Sequence, residues 1–361
     1  MNELADKIQA VLIETGDKNA AIKNIEKLHG DASYRIYYRA FLADGSTRII
    51  MQMPDGPSSA SEEITNFKGK IDEPPFINVA RFLSSLRLPV PKVLGHSPSK
   101  KIIILEDLGD DLFIKKVAGA GNAVLRGWYK KALDLLVGLQ TKAGGRSAGD
   151  CIAMQRSFDP VLLNWEFDHF REYLVEERLG KKMSKTDAAV FEDVTRMVTS
   201  KIITAKKIFT HRDFQSKNLI ADKNGSLSMI DFQDALMGPR VYDLVALLRD
   251  SYVVLTPALV EELLSYYCKK TGLGPAETGN VTAEFDLVTL QRKMKDSGRF
   301  VYIDRVKKNP SFLQYIPATL EYVRNAFERL QGPDSQSLNA DEKKKIASLF
   351  KLLKKYVPEW N

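Results

Sequence analysis

Only two cysteines, Cys151 and Cys268, occur in 361 residues, and they stand far apart. Such spacing supplies neither a disulfide framework nor a metal-binding cluster, and it points to a reducing compartment. No apolar run reaches the ~18 residues that a membrane span needs. The first turns carry Glu3, Asp6 and Lys7, which excludes a secretory signal and leads us to expect a cytoplasmic protein. No aromatic-basic stripe suited to single-stranded nucleic acid is present, so no nucleic-acid partner is expected. Internal repeats and low-complexity stretches are also missing. A net charge of +7 is spread over dispersed Lys and Arg. It suits an anionic ligand, although a solvated surface accounts for most of it. The length allows two packed units with a large core.

What is present is concentrated between Lys207 and Asp250. Ile208 and Phe209 lead into His211-Arg212-Asp213, and Asn218 follows five residues after the aspartate. Leu219 and Ile220 then meet Asn224-Gly225, and Leu227, Met229 and Ile230 return the chain to Asp231. Asn-Gly between apolar runs predicts a hairpin with a two-residue turn. In that register Lys223 faces Ser226, Asn218 faces Asp231, and facing side chains project to one side. An amide oxygen and a carboxylate together suit Mg²⁺, which takes hard oxygen ligands along with phosphate and water. Asp213, in the loop just before, is placed to orient an attacking hydroxyl and receive its proton, as phosphoryl transfer requires. The spacing matches the kinase loop H-R-D-x-x-x-x-N, with Asp231-Phe232-Gln233 standing where D-F-G would be.

Upstream, residues 3–13 space Leu4, Ile8, Val11 and Leu12 as a helix that Gly16 can end. Three strand-like runs follow, Ile22–Leu28, Tyr34–Leu42 and Thr47–Met53, and predict a small antiparallel sheet. The turn between the first two contains Gly30 and Ser33. It reads either as a cradle of backbone N–H groups for phosphate or as a plain hairpin turn. A protein kinase carries a lysine on the third strand, but this one reads Arg48-Ile49-Ile50-Met51-Gln52-Met53. The next helix, Phe76–Leu86, has no acid to pair with such a lysine. Arg35 or Arg48 is the substitute we expect for holding phosphates. Ile102–Leu105 reads as a buried strand leading into Glu106-Asp107-Leu108-Gly109, either a connector offering backbone groups to adenine or a simple surface turn. Helices are expected over Asn122–Ala143, over Leu162–Leu179 with Glu166 among aromatics, and from Tyr242 to Leu248. Glu166 is either a solvated acid or a ligand for a polar substrate, and Asp243 either caps its helix or braces the catalytic loop. The last helix starts at Asn339-x-x-Glu342 and has apolar residues Ile346, Leu349, Phe350 and Leu353 to pack inward.

Several strings resemble the aminoglycoside phosphotransferase/choline kinase superfamily, and within it the branch of bacterial anomeric kinases of N-acetylmuramic acid and N-acetylglucosamine. They are residues 30–35 (GDASYR), 105–109 (LEDLG), 211–218 (HRDFQSKN) and 230–235 (IDFQDA). Gln291-Arg292, Gly298, Phe300 and Ile316-Pro317 follow the same pattern, so the likeness spans nearly the whole chain. It implies Asp213 as base, Asn218 and Asp231 as Mg²⁺ ligands, and the segment around Leu108 as an adenine hinge. Glu166, Gln215 and Asp234 would meet the sugar. The branch has a Met-Asp-x-Pro-like string on the third strand, where this chain has Met51-Gln52-Met53-Pro54, and Arg more often than Lys at position 217.

The expectation is therefore an α+β, two-lobed, protein-kinase-like fold. A small antiparallel-sheet lobe (1–105) joins a large helical lobe (110–361) through a hinge (106–109). ATP and Mg²⁺ are the expected cofactors, with Gly30, Ser33, Arg35, Glu106 and Leu108 around the nucleotide. The expected reaction is phosphorylation of an amino sugar at its anomeric hydroxyl, in cell-wall sugar recycling, with no membrane partner. A kinase of another hydroxylated metabolite and a nucleotide-binding pseudokinase are the alternatives.

Overall fold

The computed structural model describes residues 2–16, 21–28, 35–54, 73–147, 149, 151–333, 335 and 337–360. Gly30 and Ser33, the expected phosphate cradle, lie outside them. The N-terminal lobe is a five-stranded antiparallel sheet of β1 (Ile22–Lys27), β2 (Ile36–Leu42), β3 (Thr47–Gln52), β4 (Val93–Ser97) and β5 (Ile102–Glu106), in the order β1-β2-β3-β5-β4. The run Ile102–Leu105 has no polar face because β5 is internal and covered on both sides. Ile102 and Ile104 pack with Ile50, Ala40 and the Ile8, Val11 and Leu12 face of helix α1 (Asn2–Glu14). Ile103 and Leu105 join Met51 and helix α2 (Pro75–Ser85) on the other face, continuous with the main core.

The larger lobe is mainly helical. Helix α3 (Phe113–Val117) leads to α4 (Asn122–Ala143), whose bounds are those read from its periodicity. The expected helix Leu162–Leu179 is split, with α5 (Pro160–His169) passing into a π-helical stretch, Phe170–Glu177. Another backbone lies close at this point: a Cβ added to Gly298 would stand 2.3 Å from the His169 carbonyl oxygen. The long helix α9 (Pro275–Lys307) thus presses its backbone onto α5 where the winding changes. After α6 (Lys185–Thr204) come short strands β6 (Lys207–Thr210), β7 (Leu219–Ala221), β8 (Leu227–Met229) and β9 (Leu236–Pro239). Helices α7 (Tyr242–Leu248), α8 (Pro257–Lys270), α9 (Pro275–Lys307), α10 (Ile316–Gln331) and α11 (Ala340–Leu353) complete the lobe. Helix α11 begins with the Asn339/Glu342 capping box and buries Ile346, Leu349, Phe350 and Leu353. Among the described residues no helix is long and apolar enough to cross a membrane.

One local expectation is corrected. The β7–β8 register pairs Leu219 with Met229 and Ala221 with Leu227, which sets Asn218 opposite Ile230 and not Asp231. The turn has three residues, closed by the Gly225 N–H to the Asp222 carbonyl at 3.0 Å, with Gly225 at φ +75°. The Asp222 carboxylate chooses this loop by accepting the N–H groups of Asn224 and Ser226, each at 2.8 Å. A one-residue shift would send Asp231 to the opposite face. Asp231 itself leaves the ladder in the left-handed region at φ +63°, and it lines the same cavity as Asn218.

Candidate active site

A cavity of about 710 Å³ lies between the sheet and the helical lobe, and Asp213, Asn218 and Asp231 all line it. The loop carrying Asp213 is held from beneath by two buried carboxylates at the ends of α7. Asp243 accepts the N–H groups of His211 (2.7 Å) and Arg212 (2.9 Å), and Asp250 accepts that of Ser216 (2.8 Å). Asp243 is thus a brace for the loop, one of its two anticipated roles, and Asp250 is a second brace that the sequence reading missed. Burial pushes the Asp243 carboxyl up to about 7 against these amide donors. Arg212 takes φ +79°, so the chain turns sharply just before Asp213.

Asp213 is about a third exposed, at the cavity wall. Arg292 of α9 donates to its Oδ1 at 3.1 Å and to the Arg212 carbonyl at 2.6 Å. Desolvation favours the neutral acid, but Lys295, Arg292 and Arg212 outweigh it and hold the group well below the usual carboxylate range. The Asp213 N–H points at His211 Nδ1 (3.3 Å), and burial lowers the His211 imidazole to about 4, so it stays neutral. Asn218 donates from Nδ2 to the Asp213 backbone carbonyl at 2.9 Å, which commits its nitrogen and leaves Oδ1 available to a ligand.

Gln233, where D-F-G has glycine, is buried and donates from Nε2 to Asp231 and Asp234, both at 2.9 Å. It holds the two carboxylates side by side. Phe232 anchors this segment by stacking on Phe76 of α2 at 4.9 Å. From the sheet, Tyr37 faces the same acids; burial, then the charge of Asp231, raises its phenol above the usual range. Among the described residues no cluster of three or more His, Cys, Asp or Glu could hold a metal. The donor set here is one amide oxygen and one carboxylate. Both are hard ligands, and two is the number Mg²⁺ commonly takes from protein when phosphates and water supply the rest.

Of the other expected residues, Arg35, Glu106, Leu108, Gln215 and Asp234 line the cavity. Arg48 does not; it turns back along its own strand to Ser46 Oγ (3.1 Å) and the Thr47 carbonyl (2.9 Å). Glu166 is also away from the cavity. It is fully buried, with Oε1 accepting from Arg212 at 3.1 Å and Oε2 from Gln291 at 2.7 Å. Its carboxylate ties α5 and α9 to the loop that carries Asp213, because a charge this deep persists only when paired. The connector after β5 holds an unanticipated clamp. Arg39 of β2 chelates Asp107 (2.7 and 3.1 Å) and Asp110 (2.7 and 2.8 Å), joining the sheet to the cavity mouth. No local pattern pairs residues about 70 positions apart. Arg292 did leave a signal: it is a charge inside a buried helical run.

The profile of the Phosphotransferase enzyme family matches residues 24–278. An N-acetylmuramate/N-acetylglucosamine kinase of Neisseria meningitidis serogroup B is 26% identical over 304 residues, spanning 83% of this chain and 84% of the relative. One of the same name from Pseudomonas putida is 28% identical over 306 residues, spanning 83% and 82%. Among solved structures, an aminoglycoside phosphotransferase with ADP bound superposes at TM-score 0.55 and 16% identity, covering 88% of this chain and 98% of the other. The resemblance read from the motifs stands, the two-lobed kinase-like fold is shared, and the chain belongs to the phosphotransferase enzyme family, whose reaction moves a phosphoryl group to a hydroxyl acceptor.

Proposed function

We propose that this chain phosphorylates an amino sugar, N-acetylmuramate or N-acetylglucosamine, at the anomeric hydroxyl with ATP and Mg²⁺, in the recycling of cell-wall sugars. The observation that carries the reading is the placement of Asp213, held ionised by Lys295, Arg292 and Arg212, in the same cavity as Asn218 and Asp231. The names of the relatives support the choice of sugar.

In this reading Asn218 Oδ1 and the Asp231 carboxylate would hold the ion, which would supply positive charge to offset that of the phosphates. Arg35 and the connector around Glu106 and Leu108 receive the nucleotide. Asp213 accepts a hydrogen bond from the acceptor hydroxyl and takes its proton late in a loose transition state, where a strong base is not needed. The anomeric hydroxyl is the most acidic on the ring, which suits a carboxylate this weakly basic. Gln215 and Asp234 meet the remaining hydroxyls, since a site that hydrogen-bonds polar groups rejects analogues lacking them.

The test is turnover of ATP with a panel of sugars and alcohols, followed by ³¹P–¹H correlation NMR of the product. Phosphorus coupled to the anomeric proton is expected. Coupling to the C6 protons overturns the anomeric assignment, and no reaction with any 2-acetamido sugar overturns the substrate.

A further inference from the structure

The acceptor side of the cavity holds an arrangement whose reading rests on the sugar-kinase function above. Lys217, one residue before Asn218, lines the cavity. Its ammonium lies 4.2 Å from the ring centre of Tyr252, 5.0 Å from that of Phe312 and 5.7 Å from that of Tyr315. The rings meet edge to face, Tyr252 on Tyr315 at 4.8 Å and Tyr252 on Phe312 at 6.5 Å. Three rings around one cation form the kind of cage that recognises quaternary ammonium ligands. Here the chain's own lysine fills it. A choline-like acceptor therefore meets an occupied box and a like charge. The caged ammonium is also pre-oriented, so it loses little freedom on meeting an anion.

Helix α9 borders this cage through Phe300, which stacks on Phe312 at 5.8 Å. Its cavity-lining residues are Arg292, Lys295, Asp296, Arg299, Phe300 and Ile303, the spacing of one helical face. The single carboxylate of that face, Asp296, is taken by buried Lys293 at 2.6 Å. Arg292 and Lys295 act on Asp213, the first by contact and the second by charge. Arg299 lies over Tyr302 at 4.6 Å and adds a planar guanidinium, the group best matched to the two oxygens of a carboxylate.

We propose that Lys217 and Arg299 form an anion subsite for a carboxylate carried by the acceptor sugar. The chain then prefers an acid-bearing amino sugar to its neutral parent and rejects cationic alcohols.

N-acetylmuramate and N-acetylglucosamine differ by one lactyl ether, so together they read the subsite. kcat and KM for both are measured in the native chain, Arg299→Met, Lys217→Met and Lys217→Arg, with choline as a third acceptor. Each methionine variant is expected to lower the ratio of kcat/KM for the acidic over the neutral sugar at least ~10-fold, the effect of losing one charge-assisted hydrogen bond. Lys217→Arg is expected to keep the native ratio, and choline is not turned over by the native chain. Turnover of the neutral sugar reports that a variant is folded. A ratio that does not move, or equal losses with both sugars, overturns the subsite and leaves the sugar-kinase reading standing. A native chain that turns over neither sugar overturns both.

Discussion

Arg292 grips the catalytic loop twice, through the Asp213 carboxylate at 3.1 Å and through the Arg212 carbonyl at 2.6 Å. One guanidinium thus joins Lys295 and Arg212 in holding Asp213 ionised and also fixes the backbone that presents it. The pair connects α9, far along the chain, to the loop that lines the cavity.

Asp213→Asn keeps the shape of this contact and removes the charge. Phosphoryl transfer should fall by at least ~10²-fold, the scale of general acid–base contributions, while nucleotide affinity measured by calorimetry stays close to native. Near-native turnover would take Asp213 out of the mechanism.

Asp231→Ala removes the one carboxylate in the proposed ion site and a partner of Gln233. Nucleotide affinity should lose its dependence on Mg²⁺. An affinity that still rises with added Mg²⁺ would move the ion to other ligands.

The pH dependence should carry the signature of Asp243. Its ionised form accepts two loop amides, and burial raises its pKa to about 7. kcat should therefore fall as the pH drops through about 7, and this limb should be missing from Asp243→Asn. For stability the sign is opposite. The folded pKa exceeds the unfolded value of about 3.9, so the native state holds the extra proton. That contribution is full below about 4 and lost as the pH rises through about 7. Buried His169 and His211, both lowered to about 4, oppose it in the same window. The stability readout is thus the difference in Tm between the native chain and Asp243→Asn, which should shift toward the variant as pH rises.

Glu166→Ala separates scaffold from substrate contact. Removing one partner of a buried ion pair costs about 3–5 kcal/mol, so Tm should drop sharply with little change in the KM for sugar. A raised KM at native Tm would place Glu166 at the substrate after all.

Much of this site was legible because the loop chemistry is local. Asp213, Asn218 and Asp231 stand within twenty residues, and the apolar runs around them predict short strands. The register failed by one residue because the Asp222 side chain captures two turn amides, a competition that an Asn-Gly pair does not reveal. The clamp of Arg39 on Asp107 and Asp110 and the pair of Arg212 with Glu166 join residues 46 to 71 positions apart. Only the folded chain brings these together. Glu166 shows the same limit, since an acid among aromatics reads alike whether it faces a ligand or a buried guanidinium.

Helix α9 is one 33-residue rod, about 50 Å long at 1.5 Å per residue, and Gly298 lets it sit against the backbone at His169. Any side chain at 298 would lever the rod outward, carrying Arg292 off Asp213 and Arg299 off the cavity together. With Asp213 as the proposed base and Arg299 in the proposed subsite, reactivity and acceptor choice are mechanically geared. A descendant seeking a new acceptor can exchange side chains along the cavity stripe, but it cannot slide or tilt the rod to do so without also disturbing Asp213.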